Sequence, residues 1–171
     1  MKKWVALAVT LLLMAVVFGF SAQPGQDSAR LSGAVAQKMQ DNKAAESVTP
    51  ALFSANVNAN LRKWAHVYIY CALGISTAVT VSLFLRTSRR ASWRKERGLY
   101  GRAALLSVAF CTLYAATDEL HQFFVPDRAA LLSDIGVDAL GFLPCILLTC
   151  LLLWLWRRHS PPKKETQNKK D

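Results

Sequence analysis

Apolar residues in this chain are gathered into four long blocks that are separated by polar segments. Three of the blocks are 17 to 22 residues long and together hold one acidic residue, one histidine and no Lys or Arg. The fourth begins at Ala103 and is interrupted by the polar residues 118–122, after which three apolar residues complete it. A helix of about 20 apolar residues crosses the hydrocarbon core of a bilayer. We therefore predict an all-α polytopic membrane protein, a small bundle of four transmembrane helices over residues 4–20, 65–85, 103–125 and 135–156.

The basic residues are distributed unevenly among the polar segments. Of 21 Lys and Arg residues, 15 lie before the first block, in residues 86–102 or after Trp156. A four-span chain puts these three segments on one side of the membrane, and the opposite side then has six basic and eight acidic residues. An excess of Lys and Arg marks the cytoplasmic side. We predict a multi-pass protein of the cell membrane with cytoplasmic N and C termini and a basic cytoplasmic tail at residues 157–171.

The same distribution accounts for the net charge of +10. Basic segments beside membrane spans act as topology signals and contact anionic lipid headgroups. A nucleic-acid site would instead concentrate its basic residues on one surface patch. We expect membrane lipids as partners and no nucleic acid.

We interpret residues 1–171 as a single membrane domain. Ser21 and Ala22 follow the first block in the manner of a signal-peptide cleavage site. The uncharged block is longer than most signal cores, so we predict that the helix is retained. The four cysteines all fall inside predicted spans and none lies in an outer loop, so we expect no disulfide framework and interpret them as residues that fill helix contacts.

Ionisable and hydrogen-bonding residues cluster near the outer ends of the second, third and fourth predicted helices. Within each cluster the residues share one helix face by their spacing of three, four or seven positions. Ionisable side chains in a membrane face one another or a wet cavity, because each costs about 2.5–3.5 kcal/mol at mid-bilayer. We therefore predict one shared pocket at the outer side, formed by Arg62, Lys63, His66, Tyr70, Asp118, Glu119, His121, Gln122, Arg128, Asp134 and Asp138.

These residue types leave the chemistry of the pocket open. In a structural interpretation, Arg62 or Arg128 pairs with Asp134 or Asp138 and clamps the helices together without further activity. Intramembrane ionisable residues, however, are functional by default.

An enzymatic interpretation uses the same cluster differently. Asp118 or Glu119 acts as a general base, and His66 or His121 acts as an acid or a metal ligand. Arg128 then stabilises developing negative charge. Two histidines with carboxylates suffice for a zinc-type site, but neither HExxH nor CxxC accompanies them, so the identity of any metal or other cofactor stays unknown.

Several motifs of the chain resemble those of the VanZ-like family of bacterial membrane proteins. The family is named for an accessory protein that lowers susceptibility to the glycopeptide teicoplanin. The most characteristic stretch is 118–128, which contains Asp-Glu-Leu-His-Gln followed by Pro-Asp-Arg, with Asp127 where the family pattern has Gly. The resemblance implies a cell-envelope context in a Gram-positive bacterium. Further matching motifs are Phe20–Pro24, Leu61–His66 with Tyr70, and Ser133–Asp138 with Gly141.

Our first functional hypothesis is that the outer pocket binds an anionic envelope lipid or precursor headgroup. Arg62, Lys63 and Arg128 are then the phosphate contacts, since arginine binds phosphate through a bidentate fork, and glycopeptide susceptibility changes as a result. The second hypothesis is a membrane-embedded hydrolase or transferase acting on a lipid-linked phosphate or acyl group. A third is a proton-coupled transporter that uses Asp138 and His66 as a relay. Whether the protein is an enzyme stays open.

Overall fold

The structure, a computed structural model, is built from four long helices. It describes residues 1–26, 30–31, 33–34, 57–85, 93–128 and 132–159, with side chains from Lys63 in the second helix and from Gly98 in the third. No strand occurs in these ranges. All four helices are long and apolar enough to cross a membrane, which confirms the predicted all-α multi-pass membrane protein. The helices are α1 (Lys2–Ser21), α2 (Val57–Leu85), α3 (Trp93–Phe123) and α4 (Leu132–His159).

Large apolar side chains cover the outside of the bundle. Leu105, Leu113 and Trp156 each expose 69–70% of their surface. A soluble monomer rarely exposes apolar surface on this scale, whereas in a bilayer these side chains face lipid tails. Helical structure satisfies the backbone hydrogen bonds within each segment, as a membrane span requires, except at Pro144 in α4, which has no N–H to donate.

Helix α2 packs against the other three helices and makes its most extensive contact with α4. Two glycines allow this close approach. A Cβ atom added to Gly141 would overlap the carbonyl oxygen of Val67, and one added to Gly74 would lie 2.9 Å from the carbonyl oxygen of Phe142. Small residues at such positions let membrane helices pack backbone against backbone.

A hydroxyl cluster joins α1 to α2 inside the membrane-spanning region. The hydroxyl of Thr10 lies 2.8 Å from the Ser76 hydroxyl and 3.0 Å from the Thr80 hydroxyl, and it also donates to the Ala6 carbonyl at 3.0 Å. Hydrogen bonds of this kind link helices where lipid offers no competing partner.

A disulfide between Cys71 and Cys145 also links α2 to α4. The expectation that the cysteines form no disulfide is therefore wrong for this pair. The two residues are 74 positions apart, and only the packing of α2 on α4 brings their Cα atoms to 5.6 Å. Cys111 and Cys150 are free and buried, in keeping with their interpretation as helix-contact residues.

The turn that follows α3 contains a residue in the left-handed backbone region. Asp127 has a φ of 57°, a conformation that glycine adopts freely and that Asp and Asn tolerate better than other residues. The backbone N–H of Gly25 reaches this turn and donates to the Pro126 carbonyl at 3.1 Å. The geometry explains why glycine suits position 127.

We expect Asp127→Gly to keep or raise the stability of the protein and Asp127→Val to lower it by about 1–2 kcal/mol, because a β-branched residue is strained at positive φ. Thermal unfolding of the detergent-solubilised protein measures both effects, with Asp127→Asn as the control. A valine variant as stable as the parent would refute this account of the turn.

Candidate functional site

Polar residues collect at the end of the bundle where α1 and α3 end and α2 and α4 begin. The four helices alternate in direction, so these termini share one end. The term polar site is used below for the six residues there that carry the main contacts: His66, Tyr70, Asp118, Gln122, Arg128 and Asp138.

His66 and Asp138 connect α2 to α4. His66 Nδ1 lies 3.2 Å from Asp138 Oδ1. The Asp138 side chain is 1% exposed, whereas the His66 side chain is 28% exposed. A buried carboxylate thus holds Nδ1 of a partly accessible imidazole, and the opposite edge of the ring is left for another partner.

Tyr70 lies beneath His66 and is completely buried. Its ring is surrounded by those of His66, Tyr114 and Phe142, with centroid distances of 6.3–6.4 Å. The Tyr70 hydroxyl has no hydrogen-bond partner among the described residues.

Asp118 joins α3 to the end of α1. The Ser21 hydroxyl donates to Asp118 Oδ2 at 2.8 Å, and the Gln122 amide donates to the same oxygen at 3.2 Å. Ser21, Asp118 and Gln122 are each at most 5% exposed. This arrangement satisfies one carboxylate oxygen with two hydrogen bonds, one from α1 and one from the same helix.

Arg128 fastens the α3–α4 turn to the end of α1. Its Nε donates to the Gln23 carbonyl at 3.0 Å and its Nη2 to the Phe20 carbonyl at 3.1 Å. Its Nη1 donates to Gln122 Oε1 at 3.2 Å. Uncapped carbonyls at a helix end need donors, and the guanidinium supplies two of them.

These contacts add partners that the structural interpretation of the charges did not include. Asp138 contacts His66, and Asp134 accepts from the Ser133 hydroxyl at 3.3 Å, while the side chain of Arg62, the other cation of that interpretation, lies outside the described residues. The planar fork of Arg128 matches neutral oxygens on two segments.

His121 faces a different neighbour from His66. Its ring stacks on Phe18 of α1 with a centroid distance of 4.4 Å, and its Nε2 is buried with no hydrogen-bond partner among the described residues. The described part of the chain contains no group of three His, Cys, Asp or Glu side chains arranged to hold a metal ion. The hypothesis that the two histidines and the carboxylates form one metal site is therefore not supported by the geometry.

The remaining predicted residues lie around the polar site. Lys63 is half-buried near the start of α2, and Glu119 is buried beside Asp118 at 4% exposure. Asp134 is half-buried in the first turn of α4. Arg62 belongs to α2, but its side chain lies outside the described residues. The structure thus brings ten of the eleven predicted residues to one end of the bundle, while their roles stay predictions.

Three buried polar atoms of the site lack partners within the described chain. They are the Tyr70 hydroxyl on α2, Asp118 Oδ1 on α3 and Asp138 Oδ2 on α4. The two carboxylate oxygens accept hydrogen bonds, and the hydroxyl can donate or accept. Because buried polar atoms are nearly always satisfied in proteins, these atoms indicate where a ligand or water hydrogen-bonds.

Sequence reasoning missed the contribution of α1. Ser21 binds Asp118, the carbonyls of Phe20 and Gln23 bind Arg128, and the Met14 carbonyl accepts from the Tyr114 hydroxyl at 2.6 Å. A backbone carbonyl leaves no mark in the sequence. The match of Phe20–Pro24 to a family motif was the one signal that this segment does more than end a helix.

The comparisons with known proteins identify one relationship. No curated protein and no solved structure matches the chain. The family model described as VanZ/LLP1 matches residues 6–155, which include α2, α3, most of α1 and α4, and the whole polar site. The chain therefore belongs to the VanZ/LLP1 family.

Proposed function

We propose that this protein resides in the cell membrane and binds the headgroup of an envelope lipid or lipid-linked precursor at its polar site. By binding that lipid and altering its arrangement at the membrane surface, the protein changes susceptibility to glycopeptides such as teicoplanin. The observation that carries the proposal is the set of three buried, unpartnered polar atoms contributed by Tyr70, Asp118 and Asp138.

The energetics favour a ligand that forms hydrogen bonds. Each buried polar atom without a partner costs about 1–3 kcal/mol. A headgroup that bears hydroxyl or amino groups would satisfy the free oxygens of Asp118 and Asp138. The cost of leaving these atoms unpaired in the empty protein is then recovered when the ligand binds.

The rim of the polar site, by which we mean Arg62 and Lys63 near the start of α2, suits an anionic group. Lys63 precedes His66 by one helical turn, and Arg62 stands next to it in the sequence. Arg128 donates to three protein oxygens at this end of the bundle, and with Arg62 and Lys63 it is one of the three proposed phosphate contacts. A lipid whose phosphate meets the rim and whose polar substituent reaches inward fits both features.

The side of the membrane follows from the placement of charge. The basic segments belong to the opposite end of the bundle, so cytoplasmic termini put the polar site on the outer face. Envelope lipids and their precursors are exposed there, as is the target of a glycopeptide. A Gram-positive envelope, which has no outer membrane over this surface, is the setting in which such a protein would act.

One contact favours a second candidate, a hydrolase or transferase acting on a lipid-linked phosphate or acyl group. The buried Asp138 holds Nδ1 of His66, which is more accessible. A histidine oriented in this way by a carboxylate can transfer a proton through its other nitrogen. Release of product from a lipid-linked substrate, dependent on His66, would distinguish this candidate from simple binding.

Tyr70→Phe tests the binding proposal. Removing an unpartnered buried hydroxyl should leave the empty protein as stable as the parent or more stable. If the hydroxyl binds the headgroup, the variant should retain about two- to tenfold less lipid, since one hydrogen bond is lost. Native mass spectrometry of protein extracted with its membrane lipid measures the lipid-bound fraction.

Tyr68→Phe provides the matched control for this test. Tyr68 lies on the same helix, is 60% exposed and is outside the polar site, so its loss of a hydroxyl should leave lipid retention unchanged. Equal lipid retention in the parent and in Tyr70→Phe, at equal stability, would contradict the proposed role of the buried hydroxyl.

A further inference from the structure

A second candidate site lies at the end of the bundle opposite the polar site. An apolar groove of about 400 Å³ runs there between α3 and α4. This volume is within the range of about 300–1,000 Å³ typical of ligand sites. The groove is lined by Tyr100, Gly101, Ala104, Cys150, Leu151 and Trp154.

The groove is a built feature of the helix pair. Tyr100 and Cys150 are 7% and 5% exposed, so core residues form part of its wall. A Cβ atom at Gly101 would meet no atom within 4 Å, so the missing side chain leaves open space there. Because this surface faces the membrane interior, the space is available to an acyl chain.

Positive charge stands at the mouth of the groove. Arg158 follows Trp154 by one helical turn, and its guanidinium carbon lies 5.7 Å from the Trp154 ring centroid. The aromatic face fixes the cation by a cation–π contact and leaves its N–H groups for another partner. All acidic side chains that the structure describes lie at the other end of the bundle.

We propose that the groove binds an anionic phospholipid, with one acyl chain against Gly101 and Ala104 and the phosphate at Arg158. The planar fork of arginine is suited to phosphate oxygens. A second copy of the chain is a poorer occupant. In a parallel two-fold pair it would bring its own Arg158 to the same membrane level, where like charges repel. This inference is independent of the proposed function, because none of its residues belongs to the polar site.

The test compares phosphatidylglycerol with phosphatidylcholine as added lipids for the full chain in detergent, with affinity read from the rise in melting temperature. The parent protein should bind phosphatidylglycerol about tenfold more tightly, because only this lipid has a net negative charge for Arg158 to bind. Arg158→Gln should abolish the preference while keeping the affinity for phosphatidylcholine. Gly101→Leu should fill the groove and weaken binding of both lipids.

Ala109→Leu is the control, since Ala109 is exposed on the same helix as Gly101 and lies outside both the groove and the polar site. It should leave the binding of both lipids as in the parent. Equal affinity of the parent for the two lipids would overturn the proposal. So would undiminished phosphatidylglycerol binding by Gly101→Leu, or formation of dimers that Gly101→Leu disrupts.

Discussion

Gly141→Ala is expected to destabilise the bundle by about 1–3 kcal/mol, the range for overpacking a tight interior. The added Cβ atom would overlap the backbone carbonyl of Val67. A flexible side chain could move aside, but a backbone carbonyl inside a helix cannot move without shifting α2 against α4. That shift would also disturb His66 and Asp138, which lie on these same two helices.

Gly136→Ala is the matched control for this prediction. Gly136 lies on the same helix, and nothing is within 4 Å of the position its Cβ would take. Alanine there should stabilise the helix by about 0.5–1 kcal/mol. Thermal unfolding in detergent should therefore move in opposite directions for the two variants. Equal melting temperatures would mean that α2 and α4 do not approach at Gly141 as described.

Arg128→Ala is expected to lower the free energy of unfolding by at least about 2 kcal/mol, because hydrogen bonds from a charged donor contribute about 1.5–3 kcal/mol each. The variant leaves the Phe20 and Gln23 carbonyls and the Gln122 amide oxygen without this donor. Arg128→Lys should recover only part of the loss. An ammonium group is a point charge and cannot match three oxygens in one plane.

Arg102→Ala serves as the control for the arginine series. Arg102 is exposed on α3 at the opposite end of the bundle, so its removal should change stability by no more than about 0.5 kcal/mol. Thermal unfolding and the amount of protein in the membrane report on all three variants. If Arg128→Lys is as stable as the parent, charge alone suffices at this position and the contacts of the guanidinium fork are not required.

The fold was predictable because a membrane-spanning helix requires a long apolar segment, and such segments can be recognised in the sequence. Apolar blocks long enough to cross a bilayer can form little other than helices there. The positions of the same blocks also showed that the polar residues of three helices lie at a similar depth in the membrane. The fourth span was recognisable even though its end contains Asp118 and Glu119, because apolar residues resume directly after them.

The detailed partners within the site were not predictable, for two physical reasons. Helical spacing shows which residues share a face but not how that face is rotated against its neighbours. For this reason the spacing did not indicate that His121 stacks on Phe18 while His66 contacts Asp138. Contacts to backbone are also invisible in sequence, so none of the roles considered for Arg128 included its bonds to the carbonyls that end α1.

The disulfide illustrates the same limit. Cys71 and Cys145 gave no spacing signal, and their proximity depends on Gly74 and Gly141 letting α2 and α4 approach. At position 127 the sequence showed only a departure from the glycine of the family pattern, and the structure supplies the reason, a positive φ that glycine adopts freely.

The central claim is that the polar site around Asp138 carries the function of the protein. The most direct test is the teicoplanin susceptibility of cells that carry Asp138→Asn. Asparagine keeps the shape of the side chain and can still accept from His66, but it removes the buried charge. At membrane levels equal to the parent, we expect Asp138→Asn cells to become as susceptible as cells lacking the protein. Leu147→Ala, an exposed change in the same helix outside the polar site, should protect fully. Full protection by Asp138→Asn at equal protein level would contradict the claim.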